Sequence, residues 1–188
     1  MQNNHHKTRH ETINVNGLDI FYRHAGEPER PAILLLHGYP TSSYMYRNVI
    51  EPLAETAYVV APDLPGFGYS ATPSPDAYDY TFENIADTID AFLAALGLDR
   101  FFLFVTDFGT PVGYHLATRR PDRIRGLIVQ NGNAHDEGLG PDWAAPNAFF
   151  ADPTEANRAQ PARVDDLRDN PIPVHRKSAG ARGASLCS

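Results

Sequence analysis

Apolar and polar residues alternate regularly in the first segments of the chain. Residues 12–15 and 18–22 have the two-residue period of half-buried β-strands, and Asn16-Gly17 separates them. Asn-Gly accepts the positive φ angles of a tight two-residue turn. The pattern therefore predicts a β-hairpin at the start of the fold.

Longer apolar runs follow the hairpin. Residues 32–36 (AILLL) and 58–61 (YVVA) are apolar throughout, which is typical of strands that are covered on both faces in a parallel sheet. Between them, residues 42–54 repeat apolar side chains at intervals of three or four, the period of an amphipathic helix. Strand, helix and strand together predict a βαβ unit.

The alternation of helices and strands continues beyond this unit. The spacing predicts a helix at residues 81–96 that ends at Gly97, and a strand at residues 101–105. A helix at residues 111–119 and a strand at residues 126–129 follow. Strands that alternate with helices favour an α/β fold, in which a doubly wound, mostly parallel sheet is the middle of three layers.

The pattern weakens in the last third of the chain. Residues 134–160 are rich in glycine and proline, and we interpret them as the start of a cap or cover segment with a short helix within residues 153–159. Residues 161–188 contain few large apolar side chains, so they bury too little surface to offset the entropy cost of ordering. We expect an irregular tail there, a flexible N-terminus at residues 1–11 and a partial core at residues 12–133.

Composition and charge limit the classes of function. The 188 residues suffice for one domain with a sizeable core, and 42% hydrophobic with 21% charged residues is ordinary for a globular protein. The net charge of -7 opposes binding to nucleic acid and to anionic lipid. A single cysteine gives no disulfide framework, and the N-terminus lacks the apolar core of a secretory signal. We expect a soluble, cytoplasmic protein with no cofactor, membrane or nucleic-acid partner.

Three histidines near the N-terminus are candidate metal ligands by residue type. His5, His6 and His10 lie in a polar terminal segment, where side chains are usually solvated. We therefore expect these three side chains to be hydrated, and the sequence predicts no metal site.

A carboxylate directly follows one of the predicted buried strands. The stretch VTDFG, residues 105–109, joins a strand to a helix, with Asp107 at its centre. Open α/β folds place reactive groups at such strand ends, and the spacing is typical of a nucleophile elbow, in which Gly109 lets the helix pack closely. A carboxylate there can attack an electrophilic carbon and form an ester. The alternative is a helix N-cap, a common role of Asp at this position.

Two further loops leave neighbouring strand ends. HGYPTSS, residues 37–43, follows the first apolar strand, and APDLPGFGYS, residues 61–70, includes the end of the next. We predict that the backbone N–H groups of Tyr39 and Phe108 converge on a developing negative charge, as in an oxyanion hole. We expect His37 to pack and to form hydrogen bonds beside this turn rather than to act as an acid or a base.

These three motifs, in this order, resemble those of the α/β-hydrolase superfamily, and more narrowly its branch with an aspartate nucleophile, which includes haloalkane dehalogenases and epoxide hydrolases. The resemblance covers residues 13–133. It implies that Asp107 is the nucleophile and that Tyr39 and Phe108 supply the oxyanion donors. The substrate that it implies is a small neutral electrophile: a halide, an epoxide or an ester. The supporting motif residues would be His37, Gly38, Pro40, Asp63 and Gly109.

The chain departs from these relatives on the leaving-group side of the site. Haloalkane dehalogenases usually have Trp after the nucleophile and often Asn after His-Gly, and those side chains hold the halide. This chain has Phe108 and Tyr39 at the two positions. Epoxide hydrolases take their epoxide-protonating tyrosines from a cap domain, and we find no match for these tyrosines.

The histidine base of the family has no recognisable counterpart. In the family, a histidine after the last strand activates the water that cleaves the ester. The histidines that follow Asp107 are His115, on the predicted helix behind the elbow, and His135 and His175, neither of which follows a predicted late strand. The resemblance therefore implies a hydrolase with an incomplete catalytic triad, whose ester forms and persists, with at most one turnover.

Two further hypotheses follow from the loss of pattern. A truncation or frameshift near residues 159–161 would leave the sheet incomplete at its C-terminal end and the strand at residues 126–129 as an open edge. The alternative function is then a non-catalytic remnant or an interaction module that pairs through this edge, for example as a homo-oligomer. The other hypothesis is that a second chain supplies the missing histidine.

Overall fold

The hairpin is the first element of the sheet. β1 (Arg9–Val15) and β2 (Leu18–Ala25) are antiparallel, and the turn residues Asn16 and Gly17 have φ angles of 53° and 88°. The side chain of Asn14 accepts a hydrogen bond from the N–H of Gly17 at 3.1 Å, which closes the turn. The predicted hairpin is confirmed.

β1 begins earlier than the sequence pattern predicts. Residues 9–11 belong to the sheet and not to a flexible terminus: Arg9 pairs with His24, and Glu11 pairs with Tyr22. The carboxylate of Glu11 also accepts a hydrogen bond from the Tyr22 hydroxyl at 2.7 Å. These three residues are all polar, so no apolar period could indicate that they form a strand.

Four further strands complete a six-stranded sheet, in the order β1-β2-β4-β3-β5-β6. They are β3 (Ala32–Leu36), β4 (Tyr58–Pro62), β5 (Phe101–Thr106) and β6 (Ile124–Gln130). β2 and β4 are antiparallel, whereas β4, β3, β5 and β6 are parallel to one another. The predicted doubly wound, mostly parallel sheet is confirmed. Leu36 lies opposite Val105, so the loops after β3 and β5 leave the same edge of the sheet.

Helices cover both faces of the sheet. They are α1 (Ile50–Ala54), α2 (Phe82–Ala95) and α3 (Gly109–Arg119). Thr81 caps α2 by accepting a hydrogen bond from the N–H of Asn84 at 3.2 Å, and Gly97, with a φ of 68°, follows its last turn. α1 packs against β4 and β2, whereas α3 packs against α2, β5 and β3.

The segment at residues 42–54 does not form the single helix that its apolar spacing predicts. A 3₁₀ turn at Ser43–Tyr46 is followed by the short helix α1. Pro52 explains the break, because it has no N–H to donate to the carbonyl four residues earlier, although it is tolerated in a first turn. The buried Tyr46 donates its hydroxyl hydrogen to the carbonyl oxygen of Leu36 at 2.8 Å, which holds the 3₁₀ turn against β3.

Two hydrophobic clusters lie on opposite faces of the central strands. Leu34 and Leu36 of β3 belong to one cluster with Phe92 of α2, whereas Leu35 belongs to the other with Ile50 of α1. Complete burial of such a side chain contributes about 1.5–3 kcal/mol relative to leaving it in water. These clusters hold β3 and β5 in place, and the candidate site lies at their ends.

The structure is a computed structural model, and it describes residues 6–134, 140, 143–144, 147–148, 152 and 154–158. Contacts divide the chain into two compact units, Met1–Asp136 and Glu137–Ser188. In the second unit, helix α4 (Glu155–Arg158) confirms the short predicted helix. The expected tail lies outside the described residues. Apart from residues 9–11, which belong to β1, the division into four segments stays a prediction. Within the described part of the chain, each helix is too short or too polar to cross a bilayer.

Candidate active site

Asp107 lies in the turn between β5 and α3. Its φ of 48° is in the left-handed region, which a residue with a side chain rarely adopts. Gly109 begins α3, where a Cβ atom would lie 2.4 Å from the carbonyl oxygen of Leu36. The structure therefore has the tight strand-to-helix turn that the sequence predicts, and glycine is needed two residues after the carboxylate.

Two backbone N–H groups converge on one oxygen of the Asp107 carboxylate. Tyr39 donates to Oδ1 at 2.7 Å and Phe108 donates to the same atom at 2.6 Å. The N–H of Thr110, in the first turn of α3, donates instead to the main-chain carbonyl oxygen of Asp107 at 2.9 Å. An N-cap side chain accepts a hydrogen bond from the backbone N–H of the second or third helical residue. The Asp107 carboxylate instead accepts from the N–H groups of Tyr39 and Phe108.

Gly38 allows the loop after β3 to approach this carboxylate. A Cβ atom on Gly38 would lie 2.3 Å from Cβ and 2.6 Å from Oδ1 of Asp107, far inside van der Waals contact. The next residue, Tyr39, is followed by a cis peptide bond to Pro40. The motif residues after β3 thus bring a backbone N–H, rather than a side chain, against Asp107.

His37 is fully buried, and both of its ring nitrogens have partners. Nε2 accepts a hydrogen bond from the N–H of Leu64 at 3.0 Å, so Nδ1 carries the proton that it shares with the carbonyl oxygen of Gly38 at 3.0 Å. Burial lowers the pKa of His37 below its ordinary value of 6.5, and the hydrogen bond to Gly38 and the nearby carboxylates of Asp63 and Asp107 only partly oppose this shift. The two hydrogen bonds and the lowered pKa favour the neutral ring, and the role of His37 as a packing and hydrogen-bonding residue stays a prediction.

Asp63 is fully buried and joins three segments of chain. Its Oδ1 accepts hydrogen bonds from the N–H, at 2.7 Å, and the hydroxyl of Ser43, while Oδ2 accepts from the N–H of Tyr69 at 2.9 Å. The guanidinium of Arg23, in β2, lies 3.8 Å from Oδ1 and donates to the Ser43 hydroxyl. A buried ion pair thus connects β2 with the loops that follow β3 and β4.

Four aromatic rings cluster around the two N–H donors. The centroid of the Phe108 ring lies 5.2 Å from that of Phe82, 5.6 Å from that of Tyr39 and 6.5 Å from that of Phe67. None of these four side chains carries an N–H donor, so this wall differs in chemistry from the Trp and Asn pair typical of haloalkane dehalogenases. This aromatic wall favours contact with the carbon atoms of a ligand over binding of a halide ion.

The candidate bases are not placed by the structure. His135 and His175 lie outside the described residues, and His115 lies within α3. Sequence reasoning missed Arg23, which reaches Asp63 from the neighbouring strand β2, and Thr41, whose hydroxyl donates to the carbonyl oxygen of Gly38. In the sequence, the signal for Arg23 is a charged residue next to the apolar alternation of β2, and the signal for Thr41 is a hydroxyl inside the loop motif.

Comparison with known proteins gives the family. Residues 31–171 match the family model described as alpha/beta hydrolase fold, which is more than half of the chain. The chain therefore belongs to the α/β-hydrolase fold family. An uncharacterized hydrolase of Saccharomyces cerevisiae is 46% identical over 124 residues, which are 66% of this chain and 42% of that protein.

Two relatives have more specific names. A haloalkane dehalogenase of Bradyrhizobium diazoefficiens is 41% identical over 113 residues, which are 60% of this chain and 36% of the dehalogenase. A mutant epoxide hydrolase of Vigna radiata is similar in structure, with a TM-score of 0.60, 34% identity, and coverage of 65% of this chain and 38% of that one. The matches span about two fifths of these relatives. The resemblance to haloalkane dehalogenases and epoxide hydrolases is confirmed.

Proposed function

We propose that the protein hydrolyses a small neutral electrophile through an ester on Asp107. The observation that carries the proposal is the convergence of two N–H groups, from Tyr39 and Phe108, on one oxygen of a carboxylate in a strained turn. The names of the two relatives support a halide or an epoxide as the electrophile. An ester is the third class that the family resemblance implies.

The hydrogen bonds support different roles for the two carboxylate oxygens in this proposal. Both N–H groups hold Oδ1, so Oδ2 of Asp107 attacks the electrophilic carbon. A bond forms between Oδ2 and that carbon, while the bond from the carbon to the halogen or oxygen breaks, and the leaving group takes the electron pair. Oδ1 becomes the carbonyl oxygen of the new ester and stays within reach of both donors.

The same two donors serve the second step. When water attacks the ester carbon, negative charge develops on Oδ1, where Tyr39 and Phe108 already donate. One such donor is worth about 10²–10³ in rate. The water needs a base, and His37 is not available because Leu64 and Gly38 occupy its two nitrogens. We propose that ester cleavage is slower than ester formation, so the ester accumulates.

A mass measurement on one peptide tests this proposal. Cleavage after Arg100 and Arg119 releases residues 101–119, in which Asp107 is the only side-chain carboxylate. The intact protein is exposed to styrene oxide or to 1-bromobutane, digested and analysed by mass spectrometry. We expect this peptide to gain the mass of the ring-opened epoxide or of the alkyl group, at one equivalent per chain.

Two variants make the result specific. Asp107→Asn keeps the shape and tolerates the positive φ, but it removes the nucleophile, and it is expected to give no adduct. Asp122→Asn removes an exposed carboxylate outside the peptide and is expected to react like the parent protein. An adduct of equal extent in Asp107→Asn, or none in the parent protein with either probe, would exclude this function.

The outer strand favours a second candidate function, interaction through the sheet edge. Within the described residues β6 has one neighbour, β5, and its side chains Leu127, Ile128 and Val129 are 42%, 54% and 42% exposed. Exposed edges of this kind pair with other chains. We propose that β6 pairs with a second copy. Light scattering tests this: a dimer that Ile128→Lys dissociates supports pairing, and a monomer at all concentrations excludes it.

A further inference from the structure

The carbonyl oxygen of Gly38 accepts three hydrogen bonds. The backbone N–H of Thr41 donates at 3.0 Å, the hydroxyl of Thr41 donates at 2.8 Å, and Nδ1 of His37 donates at 3.0 Å. A carbonyl oxygen has two lone pairs and usually accepts one or two hydrogen bonds. This oxygen is therefore held unusually firmly for a loop position.

The peptide bond transmits this constraint to the active site. The carbonyl of Gly38 and the N–H of Tyr39 belong to one planar trans peptide, so the two groups point in opposite directions. Donors that hold the oxygen on one side aim the N–H at the other side, where Oδ1 of Asp107 accepts it at 2.7 Å. The orientation of one peptide plane thus decides whether Tyr39 is a donor to the carboxylate.

Glycine makes such an anchor necessary. Gly38 must lack a side chain because a Cβ atom would overlap Asp107. Without that side chain its backbone has access to many more conformations, including those that rotate the Gly38–Tyr39 peptide plane. A rotated plane would turn the carbonyl oxygen toward the Asp107 carboxylate, which is electrostatically unfavourable. His37 and Thr41, which donate to this oxygen, therefore fix the orientation of a peptide plane that glycine alone does not fix.

We propose that Thr41 is a positioning residue for the oxyanion donor of Tyr39. Its hydroxyl contacts the carbonyl oxygen of Gly38 and, at 3.3 Å, Sδ of Met45, so it acts on Asp107 through the Gly38–Tyr39 peptide. The inference rests on the proposed function for its effect on rate, whereas its effect on the Tyr39 N–H is independent of that function. Thr41 is exposed, so its hydroxyl can be removed without opening a cavity in the core.

The test compares two variants that differ in one group. Thr41→Val keeps the branched shape and removes the hydroxyl, while Thr41→Ser keeps the hydroxyl. After the ester on Asp107 has formed with styrene oxide, its rate of cleavage is expected to fall by about threefold to tenfold in Thr41→Val, because negative charge develops on Oδ1 in this step; this is the range for one neutral hydrogen bond. Thr41→Ser is expected to stay within about twofold of the parent protein.

Amide exchange gives a readout that needs no chemistry at Asp107. Hydrogen exchange of the Tyr39 N–H, followed by NMR, is expected to accelerate by about threefold to tenfold in Thr41→Val and to be restored in Thr41→Ser. The Phe108 N–H, which does not depend on Gly38, is the internal reference and is expected to be unchanged. Thr41→Ala, which lacks the same hydroxyl, is expected to repeat the Thr41→Val result and covers the case in which valine disturbs the turn.

The two readouts separate the two proposals. If the parent protein forms no ester, the proposed function fails, and Tyr39 exchange alone decides the role of Thr41. If Tyr39 exchange in Thr41→Val and Thr41→Ala equals that of the parent protein, the positioning role is overturned. It is also overturned if Tyr39 and Phe108 accelerate together, because that result indicates general loosening of the site.

Discussion

The guanidinium of Arg23 lies 3.8 Å from the carboxylate of Asp63, and the two side chains are only 7% and 0% exposed. Ser43 connects them by donating to Asp63 while it accepts from Arg23. The Arg23 guanidinium also lies over the ring of Phe21, with its central carbon 4.9 Å from the ring centroid. Removing one partner of such a pair leaves an uncompensated buried charge, which costs more than the pair contributes.

We therefore expect Arg23→Met to lower the free energy of unfolding by about 3–5 kcal/mol, because Asp63 would stay buried without its cation. Urea unfolding measures the change. The control is Arg30→Met, whose ion pair with Glu27 is about one third exposed and is expected to contribute about 1 kcal/mol or less. Equal losses in the free energy of unfolding in Arg23→Met and Arg30→Met would contradict the argument that burial makes the Arg23–Asp63 pair costlier to break.

Gly38→Ala is expected to damage the site more than the fold. Its Cβ atom would lie 2.3 Å from Cβ of Asp107, so the loop must move away and the Tyr39 N–H leaves Oδ1. We expect cleavage of the ester on Asp107 to slow by about 10²-fold, the effect of losing one donor to the oxygen on which charge develops in that step. The rate is measured as the loss of the styrene oxide adduct in the peptide mass assay after the reagent has been removed.

Gly97→Ala is the matched control for that variant. Gly97 has a φ of 68° and nothing within 4 Å of its hypothetical Cβ, so alanine there strains the backbone without touching Asp107. It is expected to cost about 1 kcal/mol of stability and to leave the rate of ester cleavage unchanged. A similar loss of rate in both variants would show that destabilisation, not the position of Tyr39, controls the reaction.

The pKa of His37 predicts how stability depends on pH. Burial lowers this pKa in the folded state, so the unfolded chain binds protons more readily than the folded one. The contribution of His37 is therefore fully present above about pH 6.5 and decreases as the pH falls from 6.5 through the folded pKa. Protonation also removes the acceptor for the Leu64 N–H.

Urea unfolding between pH 7.5 and pH 5 measures this effect. We expect the free energy of unfolding to fall with pH in this range, and to fall less steeply in His37→Gln, which has no titratable ring. Glu11, whose pKa is lowered chiefly by its hydrogen bond from Tyr22, loses its contribution only around and below 4.5 and so does not interfere. Parallel pH profiles in the two proteins would show that another group is responsible.

Local signals in the sequence predict much of the fold and of the site. Asn16-Gly17 predicts its turn because few other residue pairs accept two positive φ angles, and the φ values of 53° and 88° agree. The VTDFG stretch predicts the tight turn at Asp107 because only a small residue fits beside Leu36 two positions later. In both cases the residues that carry the signal are close together in the sequence, although the close approach that requires Gly109 comes from Leu36 of β3.

Contacts between distant segments could not be predicted in this way. Arg23 and Asp63 are 40 positions apart, and their pairing depends on the alignment of β2 with β4. The apolar period of residues 42–54 predicts one helix because it does not register Pro52, which breaks the backbone hydrogen bonding within that segment. The location in the cytoplasm, the histidine base and the nature of the tail stay predictions.

The contact between Tyr39 and Asp107 has a consequence for folding kinetics. It joins residues 68 positions apart, and it can form only when β3 and β5 lie side by side in register. Closing so long a loop loses chain entropy before the stabilising contacts have formed, so such pairings form late and slowly. The N–H of Tyr39 is therefore expected to gain protection from exchange at the rate of sheet assembly, later than the helical amides of α2.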